Sequence, residues 1–111
     1  MDPRIQAVIS TIESDFSCNT LNSEKLARLV HLSPSRLQHL FKAEMGEPPM
    51  HYLKSRRMRA VEILLRTEFL SGKELMNRVG LINYSNFIHD FRRAYGMAPG
   101  RYRMSIRSRV L

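Results

Sequence analysis

The chain has 111 residues, 43% of them hydrophobic, with five glycines and five prolines, enough for one compact domain or two very small ones sharing an element. Its longest apolar runs, such as Ile63-Leu64-Leu65, are too short for a helical membrane span, and the N-terminus shows no apolar signal-peptide core. Eighteen Lys+Arg against ten Asp+Glu leave a formal charge of +8, a field that favours polyanionic partners.

Strand patterning is almost absent, while apolar residues recur at helical spacing throughout. Asp2 is an N-cap with Pro3 at the first helical position, and Ile5, Val8, Ile9, Ile12 and Phe16 share one face of the helix they open. The segment 19–23 is turn-like. Ser23 is expected to cap a short helix with Leu26, Leu29 and Val30 inward. Ser33 then caps a third helix, with Pro34 at its start, Leu37, Leu40 and Phe41 inward and Gly46 as its left-handed stop. Pro48 and Pro49 prevent continuation. Met50, Leu53, Met58, Val61, Leu64 and Leu65 outline a long amphipathic helix to Arg66. A short helix runs from Lys73 to Val79 and stops at Gly80. Asn83 caps the next, Tyr84 to Tyr95, with Phe87, Ile88, Phe91 and Tyr95 on its apolar face and Gly96 at its end. Pro99 opens a last short helix in which Tyr102 packs inward. The fold class is all-α, with about seven helices.

A displacement of fifty residues superposes the landmarks: Leu29 on Val79, Leu32 on Ile82, Ser33 on Asn83, Ser35 on Ser85, Leu37 on Phe87, Phe41 on Phe91, Lys42 on Arg92, Gly46 on Gly96, Pro49 on Pro99 and Tyr52 on Tyr102. An ordered set of this kind is an internal repeat. Each copy reads as a short helix, a tight turn, a second helix, then Gly and Pro. That is a helix-turn-helix, in which the first helix braces the second and frees its outer face for a major groove. The expected organisation is one subdomain over 1–49, a linker helix over 50–67 and a second subdomain over 68–111.

With Leu37, Leu40 and Phe41 inward, the first unit leaves Ser35, Arg36, Gln38, His39 and Lys42 outside. Arg36 suits a bidentate pair with guanine and Gln38 one with adenine; Ser35 and His39 serve bases or phosphates, and Lys42 suits a phosphate. The second unit offers Asn83, Tyr84, Ser85, Asn86, His89, Arg92 and Arg93. Asp90 falls where the first unit has Leu40, facing either phosphates, which it would repel, or a half-buried setting that calls for an Arg partner. Basic residues cluster further at Lys54, Arg56, Arg57 and Arg59. Beyond Asp90 there is no acid, while Arg92, Arg93, Arg101, Arg103, Arg107 and Arg109 follow.

The segment Leu32-Ser33-Pro34-Ser35-Arg36-Leu37-Gln38-His39-Leu40-Phe41-Lys42 with Gly46, together with Tyr52-Leu53, Arg57-Met58 and Leu64-Leu65, resembles the first helix-turn-helix and joining helix of the AraC/XylS family of transcription regulators. Val79-Gly80, Ser85, Phe87, Phe91-Arg92-Arg93, Gly96, Pro99 and Tyr102-Arg103 resemble the family's C-terminal signature. The resemblance covers Ile5 to Arg103. It implies two recognition helices in successive major-groove segments of double-stranded DNA. Base contacts would fall on Ser35, Arg36, Gln38, His39, Asn83, Ser85, Asn86 and His89, and phosphate contacts on Lys42, Arg57, Arg92 and Arg93. This chain departs from the family at Gly72, usually bulky and apolar, at Met76, usually small, and at Leu81, usually Phe. It departs again at His89, commonly Arg, and at Asp90, commonly apolar. The resemblance further implies a bacterial regulator, an activator or a repressor, with RNA polymerase an expected protein partner. Many members carry an N-terminal effector-binding or dimerisation domain, so the chain is expected to be a stand-alone regulator or a C-terminal half.

An enzyme is not expected. His31, His39, His51 and His89 stand at no chelating spacing, no nucleophile–base pair stands out, and no Gly-rich phosphate loop is present. No cofactor or metal is expected, and the methionines read as core. Cys18 alone forms no internal disulfide, which suits a reducing, cytoplasmic setting, and it is placed in the turn after the first helix. The competing function is a helix-turn-helix module that has lost specific DNA binding and docks on another regulator or on RNA polymerase. A membrane-surface role lacks a free apolar face.

Overall fold

The computed structural model describes residues 1–110, with side chains through 107; Arg109 and Leu111 lie outside the described side chains. Seven helices and no strand occur among the described residues: α1 (Pro3–Asp15), α2 (Ser23–Leu29), α3 (Pro34–Met45), α4 (Pro49–Thr67), α5 (Gly72–Val79), α6 (Tyr84–Tyr95) and α7 (Pro99–Val110). The chain divides into two compact units, Met1–Arg56 and Arg57–Leu111, with the division inside α4.

Local chemistry sets most of the helix ends. Asp2, Ser33 and Asn83 each accept a hydrogen bond from the backbone N–H two or three residues ahead, and Pro3 and Pro34 occupy the first turns they open. Gly46 and Gly96 end α3 and α6 at φ 79° and 82°, a left-handed conformation that strains any residue with a Cβ. Three expectations are corrected. Asn22, not Ser23, caps α2: with its backbone extended, its side-chain Oδ1 accepts from Lys25 N–H. Leu29 is 50% exposed, and α2 instead buries Leu26 and Ala27, the face turned to the core. The last helix is not short but has 12 residues.

In the first unit Ile5, Val8, Ile12, Leu26, Ala27, Leu37, Phe41 and Leu53 form one buried cluster. In the second the buried residues include Val61, Leu65, Leu75, Met76, Val79, Phe87 and Phe91. Both units repeat a polar clamp. Tyr52 donates its hydroxyl proton to Glu13 at 2.9 Å while its ring meets Phe41 edge-on at 5.8 Å. Tyr102 donates to Glu62 at 3.0 Å and meets Phe91 edge-on at 5.4 Å. The carboxylates are further held by Arg56, at 2.7 Å, and Arg66, at 2.8 Å. Each clamp thus fixes the buried aromatic of α3 or α6 and, with it, the rotation of that helix.

The repeat needs two registers. From the N-caps Ser33 and Asn83 onward the displacement of fifty holds through Phe41/Phe91 and Gly46/Gly96. Before them it is one residue shorter. The N-caps are Asn22 and Ser71, the buried pairs Leu26/Leu75 and Ala27/Met76, and the left-handed residues His31 and Gly80. The N–H groups of Leu32 and Leu81 bond back to the carbonyls of Ala27 and Met76, at 3.0 and 2.9 Å. The pairs Leu29–Val79 and Leu32–Ile82 are therefore corrected to Val30–Val79 and Leu32–Leu81. Ile82, 77% exposed, is an extra residue in the second turn.

Candidate nucleic-acid interface

At 100° per residue, burying Leu37 and Phe41 leaves a wide outer face on α3. Ser35, Arg36, Gln38, His39 and Lys42 are all exposed on it, and Leu40 is half-buried at its margin. Ser33 caps the helix by accepting from Arg36 N–H at 3.1 Å, so that backbone donor is satisfied while the polar side chains project outward. This is the end that a recognition helix turns to base edges.

The same construction holds for α6. Phe87 and Phe91 are buried, and Ser85, Asn86, His89, Arg92 and Arg93 are exposed opposite them. Asn83 is exposed, but its Oδ1 accepts from Asn86 N–H at 2.9 Å. A bidentate adenine contact needs that oxygen as well as the amide nitrogen, so Asn83 offers chiefly its amide protons. Asp90 is half-buried, matching Leu40 in the first unit, and is set back from the outermost face. Tyr84, Ser85, Ile88, His89, Arg92 and Arg93 line one shallow concavity on the surface of α6.

Two groups of cations stand out. Arg4, Arg56, Arg66 and Arg78 are in ion pairs with Asp2, Glu13, Glu62 and Glu68. Among the described residues Arg36, Lys42, Arg92 and Arg93 are exposed and in no ion pair, which leaves their charge available to an outside anion. Arg57 differs from these four: it is half-buried on α4 and engaged within the protein, outside both recognition helices. Sequence reasoning therefore places eleven of the twelve candidate contacts on two outer faces, one per unit, and the twelfth on α4. It missed the clamps of Glu13 and Glu62, which position these faces. It also missed the reciprocal cap of α5, where Ser71 and Glu74 exchange bonds at 3.2 and 3.0 Å, although Ser-x-x-Glu was legible.

Among the described residues no cluster of three or more His, Cys, Asp or Glu is placed to hold a metal, and no helix is long and apolar enough to cross a membrane. Cys18 is exposed in the turn after α1, its thiol 3.2 Å from the Thr20 hydroxyl, whose hydrogen bond lowers the thiol pKa.

A family model described as a helix-turn-helix domain matches residues 26–105. The arabinose operon regulatory protein of Escherichia coli K12 is 26% identical over 110 residues, covering 99% of this chain; the chain spans 38% of that regulator's length. The C-terminal domain of AraT, a response regulator from Geobacillus stearothermophilus, is 30% identical with a TM-score of 0.89, over 95% of this chain and 87% of that one. The DNA-binding domain of the global transcriptional factor AdpA, solved in complex with a target DNA, is 26% identical with a TM-score of 0.89, over 98% of this chain and 96% of that one. Two helix-turn-helix units with matching caps, cores and clamps, and these likenesses across nearly the whole chain, lead to one conclusion: the chain belongs to the AraC/XylS family of helix-turn-helix transcription regulators.

Proposed function

We propose that this chain binds double-stranded DNA sequence-specifically in transcription regulation, with α3 and α6 as recognition helices in successive major-groove segments. The observation that carries the reading is the repeated outer face: two helices, one in each unit, with an outer face that is polar, exposed and furnished with cations that no acid of the described residues neutralises. Arg36 and Gln38 supply bidentate groups for guanine and adenine, with Ser35 and His39 beside them. Ser85, Asn86 and His89 read the second segment, joined by the amide protons of Asn83. Lys42, Arg92 and Arg93 meet phosphates, and Arg57, half-buried on α4, is the fourth phosphate candidate. The work of such a chain is recognition and not catalysis. RNA polymerase is the proposed protein partner and the bacterial cytoplasm the proposed setting. An effector-binding or dimerisation domain is the proposed covalent neighbour, a reading supported by the 38% of the arabinose regulator's length that this chain spans.

The test is Arg36→Ala, assayed by gel shift on a selected duplex and on an unrelated one. Specific binding falls by about 1–3 kcal/mol while binding to the unrelated duplex is nearly unchanged. An equal loss on both would make Arg36 a phosphate contact and remove it from base reading.

A further inference from the structure

Tyr84 opens α6 and is 54% exposed, yet its ring has two neighbours within the protein. A Cβ on Gly72 would lie 3.1 Å from the ring's Cε2 and 3.6 Å from its hydroxyl oxygen, so the ring rests where Gly72 has no side chain. Its other anchor is Phe87, met edge-on with centroids 6.3 Å apart. The hydroxyl and the Cε2 edge of the ring therefore face the start of α5, and the opposite edge, which is hydrocarbon, faces away from it. Tyr84 lines the same concavity as Ser85, His89, Arg92 and Arg93, with half-buried Ile88 one turn farther along the helix. An apolar surface thus lies among the groups assigned to bases and phosphates. The apolar feature that a base pair presents in the major groove is the thymine C5-methyl.

We propose that Tyr84 is a specificity-determining residue whose ring packs on a thymine C5-methyl in the half-site read by the second unit, with Ile88 extending the apolar surface. The proposal rests on α6 being a recognition helix. It assigns the second unit a mode of reading distinct from that of the first, where Arg36 and Gln38 read by hydrogen bonds. Gly72 acts as a positioning residue, because a Cβ there would come within 3.1 Å of the ring and make it give way by a few tenths of an ångström.

The experiment uses the full chain and a duplex selected by it from a random pool. Thymidines of the half-site protected by the second unit are replaced one at a time with deoxyuridine, which lacks only the methyl group. The expected result is a loss of about fourfold in affinity at one thymine, the worth of one buried methyl-sized group. In Tyr84→Ala and Tyr84→Gln the thymidine and deoxyuridine duplexes bind alike, while preference at the first half-site is retained. A wild-type chain indifferent to every such replacement, a second half-site without thymine, or a methyl preference that survives in both variants overturns the proposal and leaves DNA binding standing. A selection that enriches no sequence overturns both readings. The wild-type measurement needs no variant to fold.

Discussion

If Lys42, Arg92 and Arg93 each neutralise one phosphate, their removal is read as a change in the salt dependence of binding. All three are exposed and in no ion pair among the described residues, whereas Arg78 reaches both carboxylate oxygens of Glu68, at 3.1 and 2.9 Å. Counterion release contributes a slope of about 0.9 in log K against log salt for each phosphate neutralised, so three contacts contribute about 2.7. Between about 50 and 200 mM salt that corresponds to roughly fortyfold in affinity. The assay is fluorescence anisotropy of a labelled duplex over a salt series. Each single alanine variant lowers the slope by about 0.9 and leaves sequence preference intact, and Arg78→Ala leaves the slope alone. A triple variant with an unchanged slope, or an Arg78→Ala variant that loses as much as the others, would refute the division into structural and DNA-facing cations.

Phe41 is fully buried against Tyr52, so Phe41→Ala costs about 3–5 kcal/mol and unfolds the first unit in a urea titration followed by circular dichroism; a loss below about 1 kcal/mol contradicts the packing of α3. Ser71→Ala removes the Oγ that accepts from Glu74 N–H while keeping the backbone N–H that donates to Glu74, costs about 0.5–2 kcal/mol and speeds amide exchange in the first turn of α5; unchanged exchange there contradicts the cap. Burial raises the pKa of Tyr95 and Tyr102 above the ordinary 10, aided at Tyr102 by the hydrogen bond to Glu62. A raised folded value means that their contribution to stability is whole below pH 10 and is lost as pH rises through the folded values. In a tyrosinate absorbance titration Tyr102→Phe removes part of the late phase. Four tyrosines that titrate together near the ordinary value contradict the clamp.

The caps of α1, α3 and α6 and the stops of α3 and α6 were legible because they depend on neighbours in sequence: a side-chain oxygen before Pro3, Pro34 or Tyr84, a glycine after Met45 or Tyr95. The outer faces of α3 and α6 followed from the same locality, since placing Leu37 and Phe41, or Phe87 and Phe91, inward leaves the remaining residues outward. The inner face of α2 was not legible. Over seven residues Leu26-Leu29-Val30 and Leu26-Ala27-Val30 satisfy helical spacing equally, and only packing against α1 and α3 chooses the second. The register of the repeat failed for a related reason: the inserted Ile82 is apolar, so it passed for the partner of Leu32. The clamps join residues about forty apart, Glu13 to Tyr52 and Glu62 to Tyr102, and periodicity carries no trace of such pairs. Gly72, a departure from the family pattern when read alone, has its physical reason in the ring of Tyr84.

The most direct test is selection of bound duplexes from a random pool at two salt concentrations, with the enriched sequences footprinted on wild-type protein. The account predicts a motif with two half-sites about ten base pairs apart, retained at the higher salt with weaker overall binding. Binding without enrichment that vanishes at moderate salt would reduce the interaction to counterion release and turn the two outer faces into docking surfaces for protein.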